Sequence, residues 1–259
     1  MQMWYNKKVE DLDQKNPDLN LESEVNEKTG NRKRVVLLSI FTIFVIAILS
    51  FVLQFRIRYV AKTVQGWSMK PTLNEETETE RTNGDLVYVN TYAEINPGDI
   101  VVISSSALKE DIIKRCIAVG GQTVNITGRG AVGYDYSTID HWNRITLYEE
   151  YFVEVDGKKL TEDYILNYED KKVMEYEYKQ FCKWKYKNGY STSCEGAIKL
   201  KENEIFALGD NRAGSTDSSA VGPFTKSEII GRVDFVVKYK TSFIQECLQK
   251  LSFIFIIKK

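Results

Sequence analysis

A serine beside a short turn and a lysine inside an apolar run are the side chains of this sequence best suited to hydrolytic chemistry. Ser68 stands in Gln65–Leu73, where Gly66 precedes it by two residues and Pro71 stiffens the exit of the turn. A serine hydroxyl is a weak nucleophile unless a base accepts its proton. The function of the chain therefore depends on which residue supplies that base.

Two residues are candidates for the base. His141 is the only histidine, so a Ser-His-Asp hydrolase would have to use it, although it lies beside Asp140 and Trp142 in an irregular region. Lys114 lies in an apolar run and would share one strand face with Ile112 and Cys116. Burial there would lower the pKa of the amine and let it accept a proton. A lysine at a sheet edge whose amine reaches water would stay protonated, and the strand alone does not decide between the two.

The segments around these residues predict a mainly β fold. Short β-branched runs alternate with clusters of Gly, Pro, Asn and Asp, which is typical of antiparallel strands joined by turns. The predicted strands are 85–89, 99–103, 111–119, 151–155, 205–208 and 232–237. We therefore expect an antiparallel β-sheet catalytic domain formed by residues 54–124 and 201–240.

An apolar segment precedes this domain. Residues 35–53 carry no charge and would span roughly 28 Å as a helix, close to the thickness of a bilayer core. Residues 1–34 are polar and without periodicity, so we expect a disordered tail. The basic cluster Lys28, Arg32, Lys33 and Arg34 favours a cytoplasmic N-terminus and an extracytoplasmic catalytic domain, although Arg56, Arg58 and Lys62 follow the segment.

Two further regions lie outside the regular strand pattern. Residues 125–200 are rich in Tyr and Lys and predict an inserted subdomain, in which Cys182 and Cys194 would form a disulfide or remain two free thiols. Residues 241–259 carry an apolar face at helical spacing. A helix packed on the core and one lying in the membrane interface both fit that pattern, and we favour the interface.

The composition argues against several classes of protein. The net charge is −1, so no basic field would attract nucleic acid. The four cysteines form no Cys-x-x-Cys pair, and with one histidine they predict no metal site and no cofactor.

Four stretches together resemble the type I signal peptidases, which are membrane-bound Ser-Lys serine proteases. Residues 66–73 look like their serine box, 83–85 with 97–102 like the strand starts that follow, and 113–117 like their lysine box. Residues 209–218, continuing to Gly222 and 229–231, resemble their last box, which is the most specific of the set. The resemblance covers roughly 55–239 and is weakest over 125–200.

The resemblance implies a role for each matching residue. Ser68 would be the nucleophile, Lys114 the general base, and Ser215 a second hydroxyl that orients the lysine. Asp210, Asn211, Arg212 and Asp217 would hold the active-site loop together, with Arg115 pairing with Asp217. Shallow pockets for small side chains, suited to Ala-x-Ala sites, would be formed by Val64, Met69, Leu73, Ile112 and Ile113. The substrates would be signal peptides of preproteins, met at a lipid bilayer near the secretion translocon.

The sequence also departs from the family pattern at four places. Gly66 replaces a serine that some members use to bind the oxyanion, Ser219 replaces the usual arginine, and residues 120–122 replace a Pro-Gly-Asp turn. The polar, acidic loop 74–82 is longer than usual. A self-cleaving repressor would share the Ser-Lys chemistry, but it would carry a DNA-binding helix pair and not an apolar span. A non-catalytic relative that binds secreted chains is the remaining alternative, and the intact Ser68 and Lys114 disfavour it.

Overall fold

The computed structural model describes residues 17–75, 84–135, 145–165, 171–190 and 194–238, with the main chain only over 17–27. The chain forms two compact units, Met1–Ile57 and Arg58–Lys259. His141 and the predicted helix over 241–259 lie outside the described residues.

One long helix, α1, runs over Pro17–Arg58 and includes all described residues of the N-terminal unit. Residues 17–34 were expected to be disordered, but they are helical and continuous with the apolar segment. Helix growth from an existing helix gains one hydrogen bond per residue, and Pro17 suits a first helical position. The section Lys28–Arg58 is long and apolar enough to cross a membrane. The hydroxyls of Ser39 and Thr42 donate to the carbonyls four residues earlier, so neither is left unpaired in that section.

The second unit is mainly antiparallel β-structure, as the sequence predicts. In the described part of this unit, the eleven strands β1 to β11 are Tyr59–Thr63, Leu86–Asn90, Ile100–Ser105, Glu110–Val119, Thr123–Asp135, Ile145–Val155, Lys158–Lys159, Ile198–Lys199, Glu204–Leu208, Phe224–Thr225 and Ile229–Val237. Seven of them form one sheet in the order β1-β2-β11-β3-β4-β9-β10. Strand β4 is therefore interior, with Val101 of β3 opposite Lys114 and Ala207 of β9 opposite Cys116.

The region predicted as an insert forms a second sheet of four strands, in the order β7-β6-β5-β8. Asp156 and Gly157 both have positive φ and make the tight turn between β6 and β7. Helix α2, Lys171–Lys187, packs on this sheet, and a short helix α3, Ser218–Val221, lies within the last predicted motif. Buried residues of the second sheet and of α2 share a core with Ile117, Ala118, Phe206 and Leu208 of the large sheet.

The C-terminal part of α2 is cross-linked to the segment that follows it. Cys182 and Cys194 form a disulfide, which was one of the two expected outcomes. Lys185, one turn further along α2, donates hydrogen bonds to the carbonyls of Cys194, Glu195 and Gly196. Burial lowers the pKa of this lysine to about 8.

Candidate active site

The Ser68 turn follows strand β1 and is held by Asn74. The Asn74 side chain donates to the carbonyl oxygens of Val64 and Gly66 and accepts from the N–H of Asp85. Asn74 has φ of 59°, a left-handed conformation that asparagine tolerates better than most residues. This clamp ties both ends of the turn to the start of strand β2.

Lys114 reaches Ser68 from the middle of the large sheet. Its Nζ atom lies 2.8 Å from Oγ of Ser68 and 3.0 Å from the carbonyl oxygen of Ile113. The lysine is 3 % exposed, and Ile112 and Cys116, which share its face of the strand, are buried with it. The apolar face that the sequence predicts around Lys114 is therefore present.

Burial lowers the pKa of the Lys114 amine below its ordinary value. The carboxylates of Asp217, Glu110 and Asp210 act in the opposite direction, because a nearby negative charge favours the ammonium form. Desolvation is the larger effect, so the amine loses its proton more readily than an exposed lysine.

The main-chain N–H of Ser68 points to a second function of the turn. Within the described residues this N–H donates no hydrogen bond, whereas the carbonyl oxygen of Ser68 accepts one from the N–H of Asn211 at 3.0 Å. Gly66 has φ of +80° and no side chain to offer a hydroxyl. An oxyanion formed at this place would therefore have the Ser68 N–H as a donor.

The loop of residues 209–217 is organised by the carboxylate of Asp217. One of its oxygens accepts from the hydroxyl of Ser215 at 2.6 Å and from the N–H of Gly209 at 2.9 Å. The other accepts from the N–H and the hydroxyl of Ser219, so a neutral donor stands where the family pattern has an arginine. Ser215 was expected to orient Lys114, but its hydroxyl is bonded to Asp217 and makes no hydrogen bond to the lysine.

Arg115 was expected to pair with Asp217. It pairs with Asp210 instead. Its Nε and Nη2 atoms donate to the two carboxylate oxygens at 2.8 and 2.6 Å. Arg115 follows Lys114 on a strand, so its side chain projects from the opposite face and cannot reach the Asp217 side of the loop. Thr72 also donates to Asp210, which joins the serine turn to the loop.

The remaining loop residues link to different parts of the protein. The side-chain amide of Asn211 donates to the carbonyl of Trp67 at 3.2 Å, next to Ser68. Arg212 is fully buried and forms ion pairs with Glu162 and Glu177.

A cleft of about 300 Å³ opens beside Ser68 and Lys114. Of the five predicted pocket residues, Val64, Ile112 and Ile113 line it. Met69 and Leu73 lie behind the wall, each 1 % exposed and packed with Val64, Val87, Val89 and Val102. Polar residues also line the cleft, namely Lys62, Thr63, Gln65, Glu110, Asp111 and Thr216.

The residues that support the site from a distance belong to no catalytic motif of the sequence. Asn74 was assigned to a polar acidic loop, although its proximity to Gly84-Asp85 could have suggested a role in the turn. Glu162, Tyr164 and Glu177 lie in the region of weakest family resemblance, and no local pattern distinguishes them from exposed residues.

Comparison with known proteins agrees with the motifs. The model of the family described as "Signal peptidase, peptidase S26" matches residues 33–238. Signal peptidase I T of Bacillus subtilis (strain 168) is 29 % identical over 216 residues, which cover 81 % of this chain and 90 % of that protein. A signal peptidase I of Bacillus amyloliquefaciens is 27 % identical over 213 residues, covering 82 % and 93 %.

Among solved structures, a signal peptidase I from Enterococcus faecalis V583 matches with a TM-score of 0.31 and 18 % identity, covering 54 % of this chain and 97 % of that one. The family match spans well over half of the chain, including every strand of the large sheet. The protein therefore belongs to the signal peptidase family, peptidase S26, and is a serine endopeptidase.

Proposed function

We propose that this peptidase removes signal peptides from exported preproteins by a Ser68–Lys114 dyad and cleaves after small-x-small sites. The observation that carries the proposal is the 2.8 Å contact between Nζ of Lys114 and Oγ of Ser68, made by a buried lysine whose pKa is lowered. A neutral amine at hydrogen-bond distance satisfies both the geometric and the protonation requirements of a general base.

The proposed reaction begins when Lys114 accepts the hydroxyl proton of Ser68 and the Ser68 oxygen attacks the scissile carbonyl. The N–H of Ser68 stabilises the negative charge that develops on the carbonyl oxygen. The Lys114 ammonium then protonates the leaving amine, and the acyl-enzyme forms. Lys114, neutral again, activates the water that hydrolyses the ester and releases the signal peptide.

Substrate specificity is proposed to arise in the cleft beside the dyad. An extended peptide would form main-chain hydrogen bonds with the segments that carry Val64 and Ile113, and its alternate side chains would face the wall. Because Val64, Ile112 and Ile113 leave shallow space next to Ser68, small side chains fit best at the first and third positions before the cut.

The apolar helix α1 supports a membrane-anchored enzyme. We propose a cytoplasmic N-terminus and an extracytoplasmic catalytic domain, because the basic cluster over residues 28–34 precedes the apolar segment. Only 14 residues separate Leu53 from Ser68, so this short linker would keep the nucleophile near the membrane. A preprotein that emerges there would meet the nucleophile at a high effective concentration. Proximity to the translocon would follow from the same tether.

Cleavage of a preprotein by the full chain in detergent tests the proposal. We expect one cut after the second small residue of a small-x-small site, lost in Ser68→Ala and in Lys114→Ala. Lys109→Ala, an exposed lysine just before β4, is the matched control and should cleave like the wild type. Full activity in Lys114→Ala, or loss of cleavage only in His141→Ala, would refute the dyad. Binding of the preprotein without any cleavage would favour the non-catalytic alternative.

A further inference from the structure

The buried guanidinium of Arg212 connects the active-site loop to the inserted region. Arg212 and Glu162 are 0 % exposed and Glu177 is 1 % exposed at their side chains. Nη2 of Arg212 donates to Glu162, Nη1 lies 3.4 Å from a carboxyl oxygen of Glu177, and Nε donates to the carbonyl of Gly209 at 3.1 Å. Charged groups this deeply buried are rare without partners, so the two carboxyl groups from the insert keep Arg212 in place.

Tyr164 makes a second connection from the same segment. Its hydroxyl donates to Glu162 at 2.9 Å, and the guanidinium of Arg115 lies over its ring at 4.0 Å from the centroid. Arg115 in turn holds Asp210 through two hydrogen bonds. The segment 162–164 therefore reaches the loop by two routes, one through Arg212 and one through the pair of Arg115 and Asp210.

The loop transmits its position directly to Ser68. The N–H of Asn211 donates to the carbonyl of Ser68, and the N–H of Gly209 donates to Asp217. A Cβ atom added at Gly209 would lie 2.5 Å from the Ser68 carbonyl oxygen and 2.3 Å from Oγ of Ser215. The loop is packed closely against Ser68 at this point, so neither can shift without the other. A small displacement at Arg212 would therefore move the nucleophile.

The charges of the cluster do not balance if all three groups are ionised, since two carboxylates face one guanidinium. Burial raises the pKa of Glu177 well above its ordinary value, and Asp217 and Glu162 act in the same direction, while Arg212 opposes them. Within the described residues neither carboxyl oxygen of Glu177 accepts a hydrogen bond. Glu162 is therefore the hydrogen-bonded partner of Arg212, whereas Glu177 faces the guanidinium without a hydrogen bond.

We propose that Glu162, Tyr164 and Glu177 are positioning residues of the peptidase, which hold the 209–217 loop and through it Ser68 opposite Lys114. This inference rests on the proposed dyad. It assigns a role in positioning the active site to the insert, because the insert supplies the buried carboxyl partners of Arg212 and the ring that contacts Arg115.

The test compares steady-state cleavage by the full chain in detergent. Glu162→Gln combined with Glu177→Gln leaves Arg212 buried without an anion. We expect kcat to fall by about 10- to 100-fold with KM changed less than about twofold, since misplacement of a reacting group acts on the chemical step. The acidic limb of the kcat profile should move to higher pH, because a loosened loop lets water reach Lys114.

Two controls separate positioning from a general structural effect. Asp163→Asn also removes one negative charge from this segment, but at an exposed side chain. It should leave kcat, KM and the acidic limb unchanged. Glu177→Gln alone keeps the hydrogen bond between Arg212 and Glu162, so its loss of kcat should be smaller than that of the double variant. The folded fraction of every variant is measured by circular dichroism, and kcat is expressed per folded molecule.

Tyr164→Leu is an independent variant for the case that the double substitution does not fold. It keeps the buried charges and removes the ring under Arg115, and we expect a several-fold loss of kcat with KM unchanged.

Folded variants with wild-type kcat and an unmoved acidic limb would overturn the inference, as would a loss explained wholly by unfolded protein. If the wild type itself does not cleave the preprotein, the proposed function fails. If it cleaves and Ser68→Ala abolishes cleavage while the insert variants match the wild type, only this inference fails.

Discussion

Arg115 holds Asp210 by two hydrogen bonds on the face of strand β4 opposite to Lys114. Neighbouring residues of a strand point to opposite faces, so one dipeptide contributes both to the proposed base and to the support of the loop. The two-point geometry of a guanidinium on a carboxylate also fixes the orientation of Asp210. A lysine at position 115 would supply the charge without this geometry.

Asp210→Asn should destabilise the protein by about 3 kcal/mol, because it leaves the largely buried Arg115 without its anion. Denaturant unfolding of the detergent-solubilised chain measures the change. Glu150→Gln, which breaks the exposed ion pair with Lys159, is the control and should leave the unfolding midpoint nearly unchanged. Equal effects of the two substitutions would show that burial of the Arg115 pair is not what matters.

The pH dependence of cleavage should report the lowered pKa of Lys114. The neutral amine is the active form, so kcat/KM should fall as pH decreases through that pKa, with a slope of about one in the logarithmic plot. The midpoint should lie below the ordinary lysine value of about 10.4. A rate that stays constant down to strongly acidic pH would contradict a lysine base.

Glu110→Gln should move that acidic limb to lower pH. The Glu110 carboxylate raises the pKa of Lys114, whereas burial lowers it. Removal of the Glu110 charge should therefore lower this pKa further. The neighbouring Asp111→Asn is a matched control, because Asp111 also lines the cleft but is paired with Lys62 at 2.9 Å. A shift of the same size in both variants would mean that the general charge of the cleft, and not Glu110 itself, acts on the base.

Lys114→Met should be more stable than the wild type, and its advantage should shrink as pH rises. Between the lowered pKa of the folded state and about 10.4, the unfolded chain binds a proton that the folded protein lacks. The stability of the wild type relative to the variant therefore rises with pH in this window, by at most about 1.4 kcal/mol per pH unit. Paired unfolding curves across the window measure the difference. A difference that does not change with pH would show that the pKa of Lys114 is the same in both states.

Reduction of the disulfide should lower stability by about 3 kcal/mol, since it closes a loop of 12 residues. Intact mass should rise by about two mass units on reduction, because each sulfur gains one hydrogen. Cys116 should stay unmodified in the folded protein, because burial raises the pKa of its thiol to about 12. Two free thiols at Cys182 and Cys194 before reduction would contradict the bridge.

The strands and the Ser68 and Lys114 pair were accessible to sequence reasoning because their signals are local. Turn residues bracket each β-branched run, and Lys114 stands out as a charge on an apolar strand face. Recognition of the family then joined the two residues, which lie 46 positions apart and could not have been paired by spacing alone.

The supporting contacts could not be predicted because they depend on packing between distant segments. Asp210 and Asp217 lie on the same loop, and only the sheet geometry decides which of them Arg115 reaches. Met69 and Leu73 look equally suited to a pocket wall or a core, and their place is set by the valines of the neighbouring strands. The helical start at Pro17 likewise follows from growth of the anchor helix, which the polar composition of the tail does not reveal.

Strand β4 is hydrogen-bonded to β3 along Glu110–Arg115 and to β9 from Arg115 onward, whereas the Ser68 turn lies outside the sheet and is tethered mainly by Asn74 and Asn211. Amide hydrogens of an interior strand exchange only when much of the domain opens, while a turn can open alone at lower free energy. Fluctuations in the distance between the two reacting groups should therefore originate at the serine. The lysine should then be the stationary member of the proposed dyad, and the nanosecond-to-microsecond motion of one turn should set how often the two groups meet.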